Sequence, residues 1–94
     1  MDKSFSGRIE VPAEVLVSER DGEAVLLNMA NENYYGLDSV GTRIWKRLNE
    51  TETIQTAFEL LCDDFDAEEA TVRDDLREFL GELKKQGLVV IHDD

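Results

Sequence analysis

The spacing of apolar residues along this chain changes once, and that change divides it in two. From Val15 to Leu37 the apolar positions alternate with polar ones or form short runs, as in strands. From Val40 to Leu83 they recur every three or four residues, the period of a helix. Residues 1–14 hold no sustained period and carry the only proline, Pro12, so they are expected to form a flexible N-terminal arm ahead of one domain over 15–92.

The strand region begins with Val15-Leu16-Val17-Ser18-Glu19-Arg20 and continues with Glu23-Ala24-Val25-Leu26-Leu27-Asn28-Met29. Asp21-Gly22 between them predicts a hairpin, because both central positions of such a turn require positive φ. Val25, Leu27 and Met29 share one face of the second strand. Asn31-Glu32-Asn33 predicts a second turn, and Tyr34-Tyr35-Gly36-Leu37 a short third strand at a sheet edge. Tyr35 and Leu37 point to one face of that strand and Tyr34 to the other.

Asp38 or Ser39 can cap a first helix reaching about Asn49, with Val40, Ile44, Trp45 and Leu48 as its apolar stripe. A second helix begins near Thr53 and carries Ile54, Ala57, Phe58, Leu61 and Phe65. Asp66, with Glu69 reaching back, predicts a capping box for a third, which stops at Gly87. Leu88-Val89-Val90-Ile91 reads as a short terminal strand or a strap over the core. The expected class is therefore α+β, a three-stranded antiparallel sheet followed by three helices.

On the third helix, a step of about 100° per residue places Val72, Leu76, Phe79 and Leu83 in one stripe, with Leu80 at its edge. Arg73, Arg77 and Lys84 lie beyond Leu80, and Glu68, Asp75, Glu78 and Glu82 lie on the opposite flank. The basic strip has two readings: solvated charge with some i,i+4 pairing, or one wall of a groove for an acidic or amphipathic peptide.

The length of 94 residues suits one modest core rather than a deep enclosed cavity. Ten Lys and Arg against 22 Asp and Glu give a net charge of −12, which repels phosphate backbones and attracts basic peptides; it also serves solubility. Nucleic acid is accordingly not expected as a partner. Cys62 is the only cysteine and His92 the only histidine. Together they cannot build a zinc site, and no base stands near Cys62 in sequence to activate its thiol. No Gly-rich phosphate loop is present, and Asp63-Asp64-Phe65-Asp66 lacks the glycine and distal glutamate of a calcium loop. No catalytic residue, metal or cofactor is expected. No apolar run is long enough to span a membrane and no signal peptide opens the chain, so the expected location is the cytoplasm.

Gly22-Glu23-Ala24-Val25-Leu26-Leu27-Asn28, then Tyr34-Tyr35-Gly36-Leu37-Asp38-Ser39-Val40-Gly41-Thr42-Arg43-Ile44-Trp45, then Phe79-Leu80 and Gly87-Leu88-Val89, resemble the PqqD family over roughly residues 10–92. The order and spacing of the whole set carry the resemblance, not one motif. It implies a winged-helix-like fold and a non-catalytic recognition element for ribosomally made, post-translationally modified peptides, as in lasso-peptide biosynthesis. The implied partners are a precursor's leader and a modifying enzyme, either a leader peptidase/cyclase or a radical SAM protein. The leader would add as a strand to Glu32, Asn33, Tyr34, Tyr35, Gly36 and Leu37. It would lie against Val72, Arg73, Leu76, Arg77 and Leu80 of the third helix, with the arginines meeting acidic leader side chains. The alternatives are a winged-helix DNA-binding regulator and a structural accessory subunit of an enzyme.

Overall fold

A computed structural model of the chain describes residue 5 and residues 7–92. Strands β2 (Val15–Arg20), β3 (Glu23–Asn28) and β4 (Asn33–Gly36) form an antiparallel sheet in the order β2-β3-β4. Asp21 (φ 57°) and Gly22 (φ 81°) make the tight turn between the first two, both left-handed as that hairpin requires. Helices α1 (Ser39–Glu50), α2 (Ile54–Phe65) and α3 (Glu69–Lys85) follow. The expected α+β order is thus the observed one.

The N-terminal segment departs from the loose arm expected of it. Strand β1 (Arg8–Glu10) pairs antiparallel with the terminal strand β5 (Val90–His92), Ile9 opposite Ile91. Phe5 is buried, its ring centroid 5.2 Å from that of Phe58 on α2. One ladder and one aromatic anchor hold a stretch too short to show any period. Residues 1–4 and 6 of the expected arm lie outside the described residues.

Two apolar clusters make the core. Phe5, Ile44, Leu48, Ile54, Ala57, Phe58, Leu61, Val72, Leu76 and Leu80 form the helical one. Val15, Ala24, Leu26, Leu37, Trp45, Leu83, Leu88 and Val89 form the one beneath the sheet. Ile9, Phe79 and Ile91 touch both. Helix α1 sits between them, giving Ile44 and Leu48 to one and Trp45 to the other. Thr42, at its start, ties it to the sheet: the buried Oγ1 accepts the Ala24 N–H at 2.9 Å. Buried Asn28 ties the sheet to the end of α3, its Nδ2 donating to the Gly87 carbonyl at 3.1 Å. Gly87 takes φ 73°, the left-handed stop expected there.

Two helix-end readings change. Asp66 does not cap α3; at φ 48° it closes α2, its N–H bonding the Cys62 carbonyl at 3.1 Å. Aspartate tolerates this left-handed backbone better than most residues. Glu68 is the N-cap of α3 and makes no side-chain cap bond, so the capping box is absent. Val40, assigned to the apolar stripe of α1, is instead 51% exposed, at a recess between α1 and α3.

Among the described residues, no helix is long and apolar enough to cross a membrane.

Candidate functional site

Strand β4 has a neighbour on one side only. The register pairs Leu26 with Tyr35 and Leu27 with Tyr34, and just beyond the strand the Leu37 N–H donates to the Ala24 carbonyl at 2.7 Å. In an antiparallel ladder the residues that bond inward alternate with those that do not. Leu37 and Tyr35 therefore bond to β3, while the N–H and C=O groups of Tyr34 and Gly36 point to the open edge. Side chains alternate as well. Tyr35 shares the core face with buried Leu26, and Tyr34, 76% exposed, stands on the outer face.

Beside this edge runs a groove of about 460 Å³. Tyr35, Gly36 and Leu37 form its sheet side, Asp38, Val40, Gly41 and Ile44 its floor, and Asp75, Glu78, Phe79 and Glu82 of α3 its far wall. Asp38 is held in place as the N-cap of α1, its Oδ1 accepting the Gly41 N–H at 2.8 Å. A smaller hollow of about 80 Å³ adjoins the groove through Val40, Ile44 and Asp75, and is otherwise lined by Leu61, Phe65, Ala67, Thr71, Val72 and Leu76. Exposed Val40 is thus the apolar floor of a recess and not a defect of the core.

The residues expected at the site separate into four groups. Tyr35, Gly36 and Leu37 line the groove, and Val72 and Leu76 line the adjoining hollow. Asn33 and Tyr34 belong to the edge strand without lining the groove. Glu32 is not in the strand: at φ 62° it is the left-handed residue of the preceding turn, its N–H bonding the Asn28 carbonyl at 2.8 Å.

Arg73, Arg77 and Leu80 lie away from the groove. The Arg73 guanidinium stands 5.3 Å from the Phe58 ring centroid and 3.7 Å from the Glu69 carboxylate. That of Arg77 stands 6.0 Å from the Phe5 ring centroid. Leu80 is buried in the same cluster as Phe5. The basic strip therefore faces the N-terminal segment, and the acidic flank faces β4. Asp75, Glu78 and Glu82 were placed on one flank by their spacing, but nothing in the sequence says which flank turns toward the sheet. That choice depends on where Phe5 and residues 7–10 return to the core.

Cys62 packs against the helical core cluster. Burial, aided by the charge of Glu69, pushes its thiol up, away from the thiolate form a nucleophile needs.

The family model described as coenzyme PQQ synthesis protein D (PqqD) matches residues 23–89, from the start of β3 to the end of the core. The chain belongs to the PqqD family. A solved structure of TbiB1 in complex with the TbiA(beta) leader peptide resembles this PqqD-family chain with a TM-score of 0.82 and 33% identity, over 90% of this chain and 99% of the other. A lasso peptide synthetase B1 complexed with the leader peptide shares the fold, with a TM-score of 0.78 and 20% identity over 88% and 98% of the two chains. No curated protein matches the chain.

Proposed function

We propose that this PqqD-family protein is a non-catalytic module that captures the leader of a ribosomally made precursor peptide and presents it to a modifying enzyme, a leader peptidase/cyclase or a radical SAM protein. The observation that carries this reading is the open edge of β4 lying beside a groove walled by α3. An extended peptide added antiparallel at that edge satisfies the outward N–H and C=O groups of Tyr34 and Gly36 whatever its sequence. The solved relatives hold leader peptides, which supports the same class of ligand here.

Strand pairing alone does not account for useful affinity. Four edge groups at about 1 kcal/mol each give about 4 kcal/mol, whereas micromolar binding needs about 8 kcal/mol. The remainder must come from side chains set into the groove, against Phe79, Val40 and Ile44. The acidic wall also disfavours the DNA-binding alternative, since a helix presenting Asp75, Glu78 and Glu82 repels a phosphate backbone.

Titration of the isolated protein with a synthetic leader of its own precursor tests the proposal. Saturable binding without enzyme, metal or nucleotide is expected, with slowed amide exchange at Tyr34 and Gly36. Tyr34→Pro removes one edge donor and should cost at least tenfold in affinity, while Tyr34→Ala keeps the donor and should cost less. The exchange measurement on the unaltered protein stands even if the proline variant fails to fold. Binding that left both amides unprotected would mean that the leader is not captured by strand addition.

A further inference from the structure

The groove is walled by acids and contains no base. Its lining includes Asp38, Asp75, Glu78 and Glu82, and neither Lys nor Arg. Asp38 is engaged as a helix cap, but no ion pair among the described residues involves Asp75, Glu78 or Glu82. Four basic side chains elsewhere are engaged by other groups. Arg47 bridges Asp64 and Glu50, Lys46 meets Glu19, and Arg73 and Arg77 lie over aromatic rings. The flank that faces the strand edge thus presents three carboxylates with no cation in the groove lining.

We infer that the groove selects leaders by basic side chains: the segment lying along β4 carries Lys or Arg at its inward positions, facing Asp75, Glu78 and Glu82. This rests on the leader-capture reading above and adds the class of peptide that the site accepts.

The geometry fits two such side chains. From Asp75 to Glu82 the helix rises about 10.5 Å. Alternate residues of an extended strand lie about 6.6–7 Å apart on one face. The peptide residues opposite Tyr35 and Leu37 share their face, the groove side, and those opposite Tyr34 and Gly36 point outward. Two successive inward side chains therefore fall within the span of the three carboxylates. Lys and Arg also suit the site's mixed lining, because their methylene stems can lie on Phe79 and Val40 while the charged ends reach the acids.

The probe is a displayed library of random 16-residue peptides, selected on the immobilised full-length protein at low salt. Peptides that slow exchange at Tyr34 and Gly36 should be enriched in Lys and Arg over Asp and Glu at alternate positions. For one such peptide, the double variant Asp75→Lys with Glu78→Lys should weaken binding at least about tenfold at low salt, with the loss shrinking as salt rises. Asp74→Lys with Glu59→Lys changes net charge equally outside the groove lining and should change affinity less than about threefold.

Edge-protecting peptides with no basic preference would overturn the charge inference and leave leader capture standing. Equal weakening by both variant pairs would also overturn it, assigning the preference to overall charge. If no selected peptide protects the edge amides, both readings fall.

Discussion

The two flanks of α3 carry opposite charge and have opposite surroundings. On one, Arg73 and Arg77 lie over the rings of Phe58 and Phe5, and Leu80 is buried beneath them. On the other, Asp75, Glu78 and Glu82 line a groove with no cation in its wall. The difference comes from what each flank meets. The N-terminal segment returns beside the arginines and turns their guanidinium groups and stems into packing. Across the groove from the acids lies the edge of β4. Charge on the first flank is thus engaged by the fold, and charge on the second lines an open groove.

The largest effect should come from removing the anchor of the covered flank. Phe5→Ala deletes a buried ring and should cost about 3 kcal/mol or more. For a domain of this size that lowers Tm by about 12–20 °C. Leader affinity, measured well below the new Tm, should change less than twofold. A large affinity loss with the fold intact would show that the two flanks are not separate, and that the strap formed by β1 positions the groove.

Phe5 also marks the limit of what could be read in the sequence. Strands β2 to β4, the Asp21-Gly22 turn and all three helices follow from local rules: a period, a turn dipeptide and a cap. The open edge was legible too, because it needs only a short third strand followed by a helix. What local rules cannot supply is which distant segment covers which face. Residues 5–10 have no period of their own, and β1 exists only because β5 lies next to it. Without that return, the wheel of α3 places Leu80 at an edge and leaves the orientation of the arginines open. Spacing alone therefore offers the basic flank as a groove wall, whereas the acidic flank lines the groove beside β4. Asp66 failed for a related reason: its carboxylate suits a cap, but the chain uses its tolerance of positive φ to leave α2.

A smaller effect should separate the two uses of charge directly. Arg73→Ala removes a guanidinium over Phe58 and the stem that covers it, which should cost about 1 kcal/mol of stability in denaturant titration. Leader affinity should stay within about twofold, since solvent and salt screen charges across the width of a helix. Should affinity fall tenfold while stability holds, the basic strip would be the recognition surface after all, and the acidic wall would not.

The smallest effect concerns Asp64, whose charge, like those of Arg73 and Arg77, serves the fold. Its two oxygens meet the Arg47 Nε and Nη2 at 2.7 and 2.8 Å, a fork that clasps the end of α2 to α1. The hydrogen bonds from Arg47 hold its carboxyl below the usual carboxylate range, against a smaller opposing effect of desolvation. A carboxyl lowered on folding contributes stability that is fully present above its unfolded value of about 3.9 and is lost as pH falls through the lowered folded value. Asp64→Asn lacks that titration. Its Tm should lie below that of the unaltered protein by no more than about 4 °C at neutral pH, because the pair is near the surface and screened. The gap should stay constant down to about pH 5 and close below about pH 4. Thermal melts across that range check the shape. A gap that persisted unchanged at pH 2 would mean that Asp64 acts through packing or uncharged hydrogen bonding, and its charge would then not belong with those engaged in the fold.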